Sequence, residues 1–226
     1  MYDHVVIKEY VKQNQFEDLN YNPLDNNCLA IIVETRENDN LNWVCNTIKH
    51  HLNWNIRFFC SHESKDCINN VQKSIIPKNI DYSGILKDIE FWNDIDEEHI
   101  LVFQHDSFVL RSGIEEFLDY DYIGSPWYWS YGDHKDKRYK DLTDFQKGGN
   151  GGFSLRKKSA MVDIINSNPP NYDYEDMYFS NALSKDIPLD VKKKFAVESM
   201  FHKDPFGVHQ LHKYLHRDEI KKILFK

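Results

Sequence analysis

The stretch that most constrains this chain is Ile100-Leu101-Val102-Phe103, which runs straight into Gln104-His105-Asp106 and then into Phe108-Val109-Leu110. The first apolar run is too short for a helix and is introduced by the charged Asp96-Glu97-Glu98. It predicts a strand buried on both faces. A carboxylate at the carboxyl end of such a strand stands where open α/β sheets place their ligands. Asp106 is therefore the first candidate functional residue, although an aspartate there also serves to cap the following turn.

A second run, Cys28-Leu29-Ala30-Ile31-Ile32-Val33, predicts another buried strand and ends in Glu34-Thr35-Arg36. Asp39-Asn40 offers a helix N-cap, and Leu41, Val44, Ile48 and Leu52 recur at helical spacing. Asn55-Ile56-Arg57-Phe58-Phe59-Cys60 is the next predicted strand. Strand, helix and strand joined by a short first loop make a βαβ unit, with parallel pairing and a right-handed crossover. The loop after the first strand of such a unit faces the ligand crevice. Glu34, Thr35 and Arg36 are thus candidate nucleotide contacts, with a surface Arg–Glu pair as the alternative.

Farther along, a short strand is expected at Ile75-Ile76, and Ser83 is expected to cap one helix carrying Leu86, Ile89 and Trp92. A short helix over 113–118, a strand and turn over 121–127, a helix near 159–166, a last strand over 195–198 and an amphipathic helix over 218–225 follow. Residues 128–144 are aromatic and charged without any period, which suits a loop over a site or a plain surface insertion. Residues 1–27 are expected to form an arm, with Val5-Val6-Ile7 packing on a single domain of residues 28–226.

Charge narrows the partners. With 36 acidic against 28 basic side chains the net charge is −8, and the short lysine-rich pieces at 135–140 and 192–194 read as solvated faces. A nucleic-acid partner is not expected. An acidic protein still binds an anionic nucleotide when a divalent cation sits between them. Aromatic residues at 14% suit stacking on bases or sugar faces as well as an ordinary core. Cys28, Cys45, Cys60 and Cys67 have no C-x-x-C spacing, which points to reduced, mostly buried thiols. The chain shows no signal peptide and no apolar run of about 18 residues, so a cytoplasmic protein without a membrane span is expected.

Lys147-Gly148-Gly149-Asn150-Gly151-Gly152-Phe153-Ser154 is the most unusual run. Its glycines demand special backbone angles or a close approach of backbone to another group. Neither the dinucleotide fingerprint nor a P-loop ending is present. A glycine-rich bulge or hairpin is the purely structural alternative. Tyr174-Glu175-Asp176 then opens a predicted helix with two acids, where the helix dipole favours negative charge. In the tail, Phe206-Gly207-Val208-His209 offers an imidazole, an acceptable cation ligand beside oxygen donors, with His202 and His212 as competitors.

Taken in order, Glu34-Thr35-Arg36, Phe91-Trp92, Gln104-His105-Asp106-Ser107, Gly124-Ser125-Pro126-Trp127, the glycine run, Glu175-Asp176 and Phe206-Gly207-Val208-His209 resemble the motifs of GT-A glycosyltransferases. The pattern spans roughly residues 28–212 and is similar to a GT-A-like family of bacterial and large-virus proteins. The family's D-x-D motif reads Gln104-His105-Asp106 here, so its first acid is missing. The resemblance implies a GT-A-like, Rossmann-like α/β fold: a mostly parallel sheet flanked by helices, with a small second sheet near the glycine strand. It also implies metal-dependent, inverting transfer of a sugar from a nucleotide-sugar donor, a UDP-sugar favoured, to a glycan, glycoprotein or other hydroxyl acceptor.

The same resemblance assigns roles. Asp106 and His209 would hold Mn²⁺ or Mg²⁺, and Glu34, Thr35, Arg36, Gln104, His105 and Asp106 would border the nucleotide. Gly149, Asn150, Gly151, Gly152 and Trp127 would border the donor and acceptor sugars. Inverting transfer needs a carboxylate to take the acceptor hydroxyl's proton, which falls to Asp176, with Glu175 orienting the acceptor or standing in. The leaving diphosphate needs a cation against its developing charge. Two other classes fit the same residues: a non-catalytic sugar- or nucleotide-binding module, and a metal-dependent nucleotide hydrolase or nucleotidyltransferase. The expected location becomes a host's cytoplasm if the protein is viral.

Overall fold

The computed structural model describes residues 5–16, 27–128, 147–169 and 173–226. The polar stretch at 17–26 and nearly all of the loop expected at 128–144, with the lysines at 135–140, lie outside the described residues.

The chain begins with α1 (Val5–Gln13), followed by β1 (Cys28–Glu34), α2 (Leu41–Leu52), β2 (Asn55–Cys60) and β3 (Gln72–Ile75). Two short helices, α3 (Tyr82–Leu86) and α4 (Ile89–Asn93), lead to β4 (His99–Phe103), β5 (Ser107–Val109) and β6 (Tyr122–Ser125). Then come β7 (Asn150–Lys157), α5 (Lys158–Ser167), α6 (Glu175–Ala182), α7 (Leu189–Phe195), β8 (Ala196–Val197), β9 (Gly207–His209), α8 (Leu211–Tyr214) and α9 (Arg217–Leu224).

The architecture is mixed α/β, a six-stranded sheet in the order β3-β2-β1-β4-β7-β6 flanked by helices. The strands β3, β2, β1 and β4 run parallel to one another, whereas β7 pairs antiparallel with both β4 and β6. A second, three-stranded sheet has the order β5-β9-β8.

The central strands are apolar on both faces because each face has its own core. Cys28, Ala30 and Ile32 of β1 join one cluster with Val44 and Ile48 of α2 and Ile220 of α9. Leu29, Ile31 and Val33 point the other way, into a cluster with Trp92 of α4, Met161 of α5 and Phe179 of α6. Side chains alternate along a strand, so a run without period is what two cores require. The helix α1 adds Val6, Ile7 and Tyr10 to the first cluster, where the Tyr10 ring stacks on Phe108.

Three local expectations are corrected. The helix expected to start at Ser83 is two helices, each opened by an aspartate: Asp81 accepts from the Ser83 N–H at 3.1 Å and Asp88 from the Glu90 N–H at 3.0 Å. Asp88, with extended backbone, restarts the helix within an apolar pattern that otherwise reads as continuous. Asn40 sits at the N-cap of α2 without capping it through its side chain; instead Asn38 accepts from the Asn40 N–H at 3.0 Å. The strand near Ile75 starts earlier, at Gln72, and stops before Ile76, whose N–H reaches the Cys60 carbonyl at 2.8 Å. All four cysteines are unbridged, and Cys28, Cys45 and Cys60 are buried. Among the described residues, no helix is long and apolar enough to cross a membrane.

Candidate functional site

The carboxyl ends of β1 and β4 and the glycine-rich start of β7 border two adjoining cavities. The larger, about 420 Å³, is lined by Gln104, Trp127, Asn150, Gly152, the first turn of α6, Glu198 and His209. The smaller, about 370 Å³, is lined by Glu34, Thr35, Arg36, His105 and Ile80. Tyr82 and Gln104 line both.

The second sheet builds the floor of the larger cavity. A turn closed by Ser107, whose hydroxyl donates to the Gln104 carbonyl at 2.8 Å, carries the chain from β4 into β5. Antiparallel pairing sets Ser107 opposite His209, and the Gln210 N–H donates to the Asp106 carbonyl at 3.0 Å. That register brings Asp106 beside His209, with Oδ1 3.4 Å from Nε2. Glu198 directly follows β8, which pairs in parallel with β9, and its Oε1 lies 3.3 Å from His209 Nδ1. The imidazole is thus wedged between two buried carboxylates, and Nε2 also lies 3.3 Å from Gln104 Oε1.

Burial alone would favour a neutral His209 ring, but its pairing with Asp106 and Glu198 outweighs burial and holds its pKa up at about 9. Burial likewise works to raise the Asp106 carboxyl, and His209 more than offsets it, leaving Asp106 well below the usual carboxylate range. Gly152 makes the arrangement possible: a Cβ there would collide with the His209 ring and the Gln104 amide.

The acidic helix start forms the opposite wall. Asp176 Oδ2 accepts from the Gly151 N–H at 3.1 Å and Oδ1 from the Met177 N–H at 2.8 Å. Burial and the adjacent Glu175 charge nonetheless push the Asp176 carboxyl up to about 7. Beneath it lies Arg156 of β7, fully buried, paired with Glu175 Oε2 at 2.7 Å and donating through Nε to Ser154 Oγ at 2.9 Å. Its guanidinium carbon sits 4.8 Å from the centre of the Tyr122 ring. Gly151 lets α6 approach β7, since a Cβ there would meet the Glu175 carboxylate.

In the smaller cavity Glu34 is buried and gathers its neighbours. Arg36 folds back on it through Nε and Nη2 at 2.8 Å each, and His105 Nδ1 lies 3.2 Å away. Burial works to raise the Glu34 carboxyl, but bonds from Arg36 and His105 outweigh it and bring it down to about 2. The Thr35 hydroxyl donates to the Lys78 carbonyl at 2.6 Å.

Residues 67–209 match the family described as DUF5672, a protein of unknown function. The chain belongs to the DUF5672 family. The matched segment covers more than half of the chain and takes in Gln104 to Asp106, β7, the acid pair and His209. It leaves β1 with Glu34, Thr35 and Arg36 outside. A comparison with curated proteins found no match.

In this DUF5672 chain, Asn150, Gly152, Trp127, Glu175, Asp176 and His209 gather at the larger cavity, with Asp106 packed behind His209. Glu34, Thr35, Arg36 and His105 gather at the smaller one, and Gln104 belongs to both. Gly151 borders the cavity only through its bond to Asp176. Gly149 stands back from both, its N–H on Ser180 and its carbonyl on the Tyr122 hydroxyl. Of the candidate histidines, His209 is the one beside Asp106; neither His202 nor His212 lines either of these two cavities. Among the described residues, no group of three or more His, Cys, Asp or Glu side chains is arranged to hold a metal ion. The donor atoms nearest His209 Nε2 are Asp106 Oδ1 and Gln104 Oε1, with Glu198 on Nδ1 as the ring's other partner. A sparse set of this kind suits a cation that completes its shell with water and ligand phosphate.

Sequence reasoning assigned no role to Arg156, Glu198 or Tyr82. The arginine's signal was its place in the strand, after the alternating Phe153 and Leu155 of the core. Glu198 was visible only as the end of a predicted strand, and Tyr82 carried no signal that would distinguish it from a core ring.

Proposed function

We propose that this protein is a GT-A-type glycosyltransferase that moves a sugar from a nucleotide donor, a UDP-sugar favoured, to a hydroxyl acceptor with inversion. The observation that carries the reading is Asp176: a carboxylate tuned to about 7, held by two backbone N–H groups, on a cavity that joins a second at Tyr82 and Gln104. A general base works best with a pKa near the working pH. The smaller cavity, at the carboxyl ends of parallel strands, suits the nucleoside, with Arg36 and His105 at its edge. The larger takes the transferred sugar and the acceptor.

Asp106 and His209, with Gln104, are the residues that would hold Mn²⁺ or Mg²⁺ beside the diphosphate. Such a cation, when bound, neutralises charge developing on the leaving group. Glu198 fixes the His209 ring, and Gly152 gives it room. Asp176 accepts the acceptor's proton, and Arg156 fixes Glu175 so that the first turn of α6 faces the sugar in one geometry.

A thermal-shift panel of nucleotide sugars and nucleoside diphosphates with Mn²⁺, Mg²⁺ or EDTA tests this reading, because a ligand of the native state raises the melting temperature. The expected result is a metal-dependent shift with one nucleoside diphosphate, lost in Asp106→Asn and kept in Asp176→Asn, which loses transfer instead. A panel without any shift overturns the transferase reading. Release of monophosphate or pyrophosphate in place of diphosphate would favour a hydrolase or nucleotidyltransferase.

A further inference from the structure

Exposed aromatic rings gather at one place on this surface. Among the described residues, the large apolar side chains that stand well exposed are Val5, Ile75, Tyr128, Tyr174 and Tyr214. Tyr174 and Tyr214 line the larger cavity, 74% and 48% exposed, and the Tyr128 ring lies 6.2 Å from that of Tyr214. Trp127 and Tyr82 continue the aromatic lining inward.

The polar lining has one sign. Glu175, Asp176 and Glu198 contribute carboxylates, Gln104, Asn150 and Gln210 contribute amides, and among the described residues no lysine or arginine lines the cavity. The imidazole of His209, which also lines the cavity, is already flanked by two carboxylates. Without a bound cation, phosphate, sulfate or carboxylate on an entering ligand would therefore meet like charge. Tyr82 adds an independent observation: its hydroxyl is buried beside Gln104 yet makes no hydrogen bond of normal geometry. A buried hydroxyl in that state is matched when a ligand oxygen reaches it.

We propose that the larger cavity binds a neutral saccharide as the acceptor, its ring against Tyr174 and Tyr214 and its hydroxyls on the amides, Tyr82 and Asp176. The acceptor role rests on the transferase reading above; the binding does not. A pyranose offers C–H groups that complement the negative face of an aromatic ring. Its hydroxyls both donate and accept, which suits carboxylates and amides alike. The volume of about 420 Å³ falls within the range of ordinary ligand pockets, about 300–1,000 Å³.

The test is a glycan array of neutral, amino and anionic saccharides, with unglycosylated serine and tyrosine peptides, probed without donor or added metal. Hits are then titrated calorimetrically. Neutral saccharides should bind in preference to anionic ones and peptides. Tyr174→Ala and Tyr214→Ala should each weaken binding by about threefold to tenfold, the worth of one aromatic contact. Val5→Ala, an exposed apolar side chain on α1, should change nothing. Both tyrosines are well exposed, so their loss should move the melting temperature little. No neutral saccharide bound, a preference for anions or peptides, or full affinity in both tyrosine variants overturns the proposal. Saccharide binding without any nucleotide effect would overturn the transferase reading alone, and nucleotide binding without saccharide binding would overturn this proposal alone.

Discussion

Asp176→Asn offers a test of the site that needs no substrate. The folded carboxyl sits at about 7, and its unfolded value is about 3.9. A group raised on folding gives its full stabilisation below the unfolded pKa and loses it as pH climbs through the folded one. The protein should therefore lose stability between about pH 4 and pH 7, at no more than about 1.4 kcal/mol per pH unit. The ceiling is about 4 kcal/mol, and because Asp176 borders a cavity that water reaches, about half of that is the better expectation. Asparagine removes the titration. It keeps one acceptor for the N–H groups of Gly151 and Met177 and gives up the other, at about 1 kcal/mol. The two proteins should thus be within about 1 kcal/mol of each other at pH 5, and the variant should be more stable by about 1 kcal/mol at pH 8. Urea denaturation at pH 5, 6, 7 and 8 measures both. Parallel stability curves for the two proteins across that range would refute the raised carboxyl and, with it, the physical basis for naming Asp176 a base. If the transferase reading holds, the rate of transfer should rise with pH over the same window that costs stability, because only the ionised form accepts a proton.

Arg156→Met should destabilise the protein by about 3–5 kcal/mol, since it leaves Glu175 charged, buried and without its partner. Placed in a Glu175→Gln background the same substitution should cost markedly less, and a double-mutant cycle by chemical denaturation that shows simple additivity would remove the coupling. Gly152→Ala should cost about 1–3 kcal/mol by pushing the His209 ring from its place, with the ring's proton resonances shifting relative to wild type. Unchanged His209 resonances in a stable Gly152→Ala protein would mean that the ring does not depend on the bare backbone.

The layered part of the fold was open to reading from the chain because its cause is local. β1 and β4 are apolar without period, and only strands with a core on each side need that pattern. The division of α3 from α4 was not legible for the opposite reason. Leu86, Ile89 and Trp92 keep helical spacing across the break, and Asp88 decides the matter through one side-chain bond to the Glu90 N–H. Spacing gives evidence of a shared face and none of continuity. The glycine run fell between these cases: close approach was one of the two readings of its composition, but not what approaches Gly151 and Gly152. Glu175 and His209 reach those backbones from α6 and β9, and neither element adjoins the run in sequence.

Arg156 shows why the remainder of the site escaped. A lone arginine in a strand pattern ordinarily faces water, where it costs nothing. Here it lies across from Tyr122 in the β6–β7 register, with the guanidinium under the acids of α6 and against the Tyr122 ring. Its burial is stable only because Glu175 is buried with it, and Glu175 is buried only because Gly151 lets the helix descend. The three positions are a single choice made at three places in the chain, and any one taken alone has a commonplace explanation. The helix dipole accounts for Glu175, a tight turn for Gly151 and a solvated edge for Arg156. What distinguishes the buried arrangement is that none of these explanations requires the other two residues, whereas a fixed carboxylate pair facing a cavity requires all three. Loss of Arg156 should therefore disturb Asp176 as well, and the pH slope that Asp176 imposes on stability is the quantity in which that disturbance should be read.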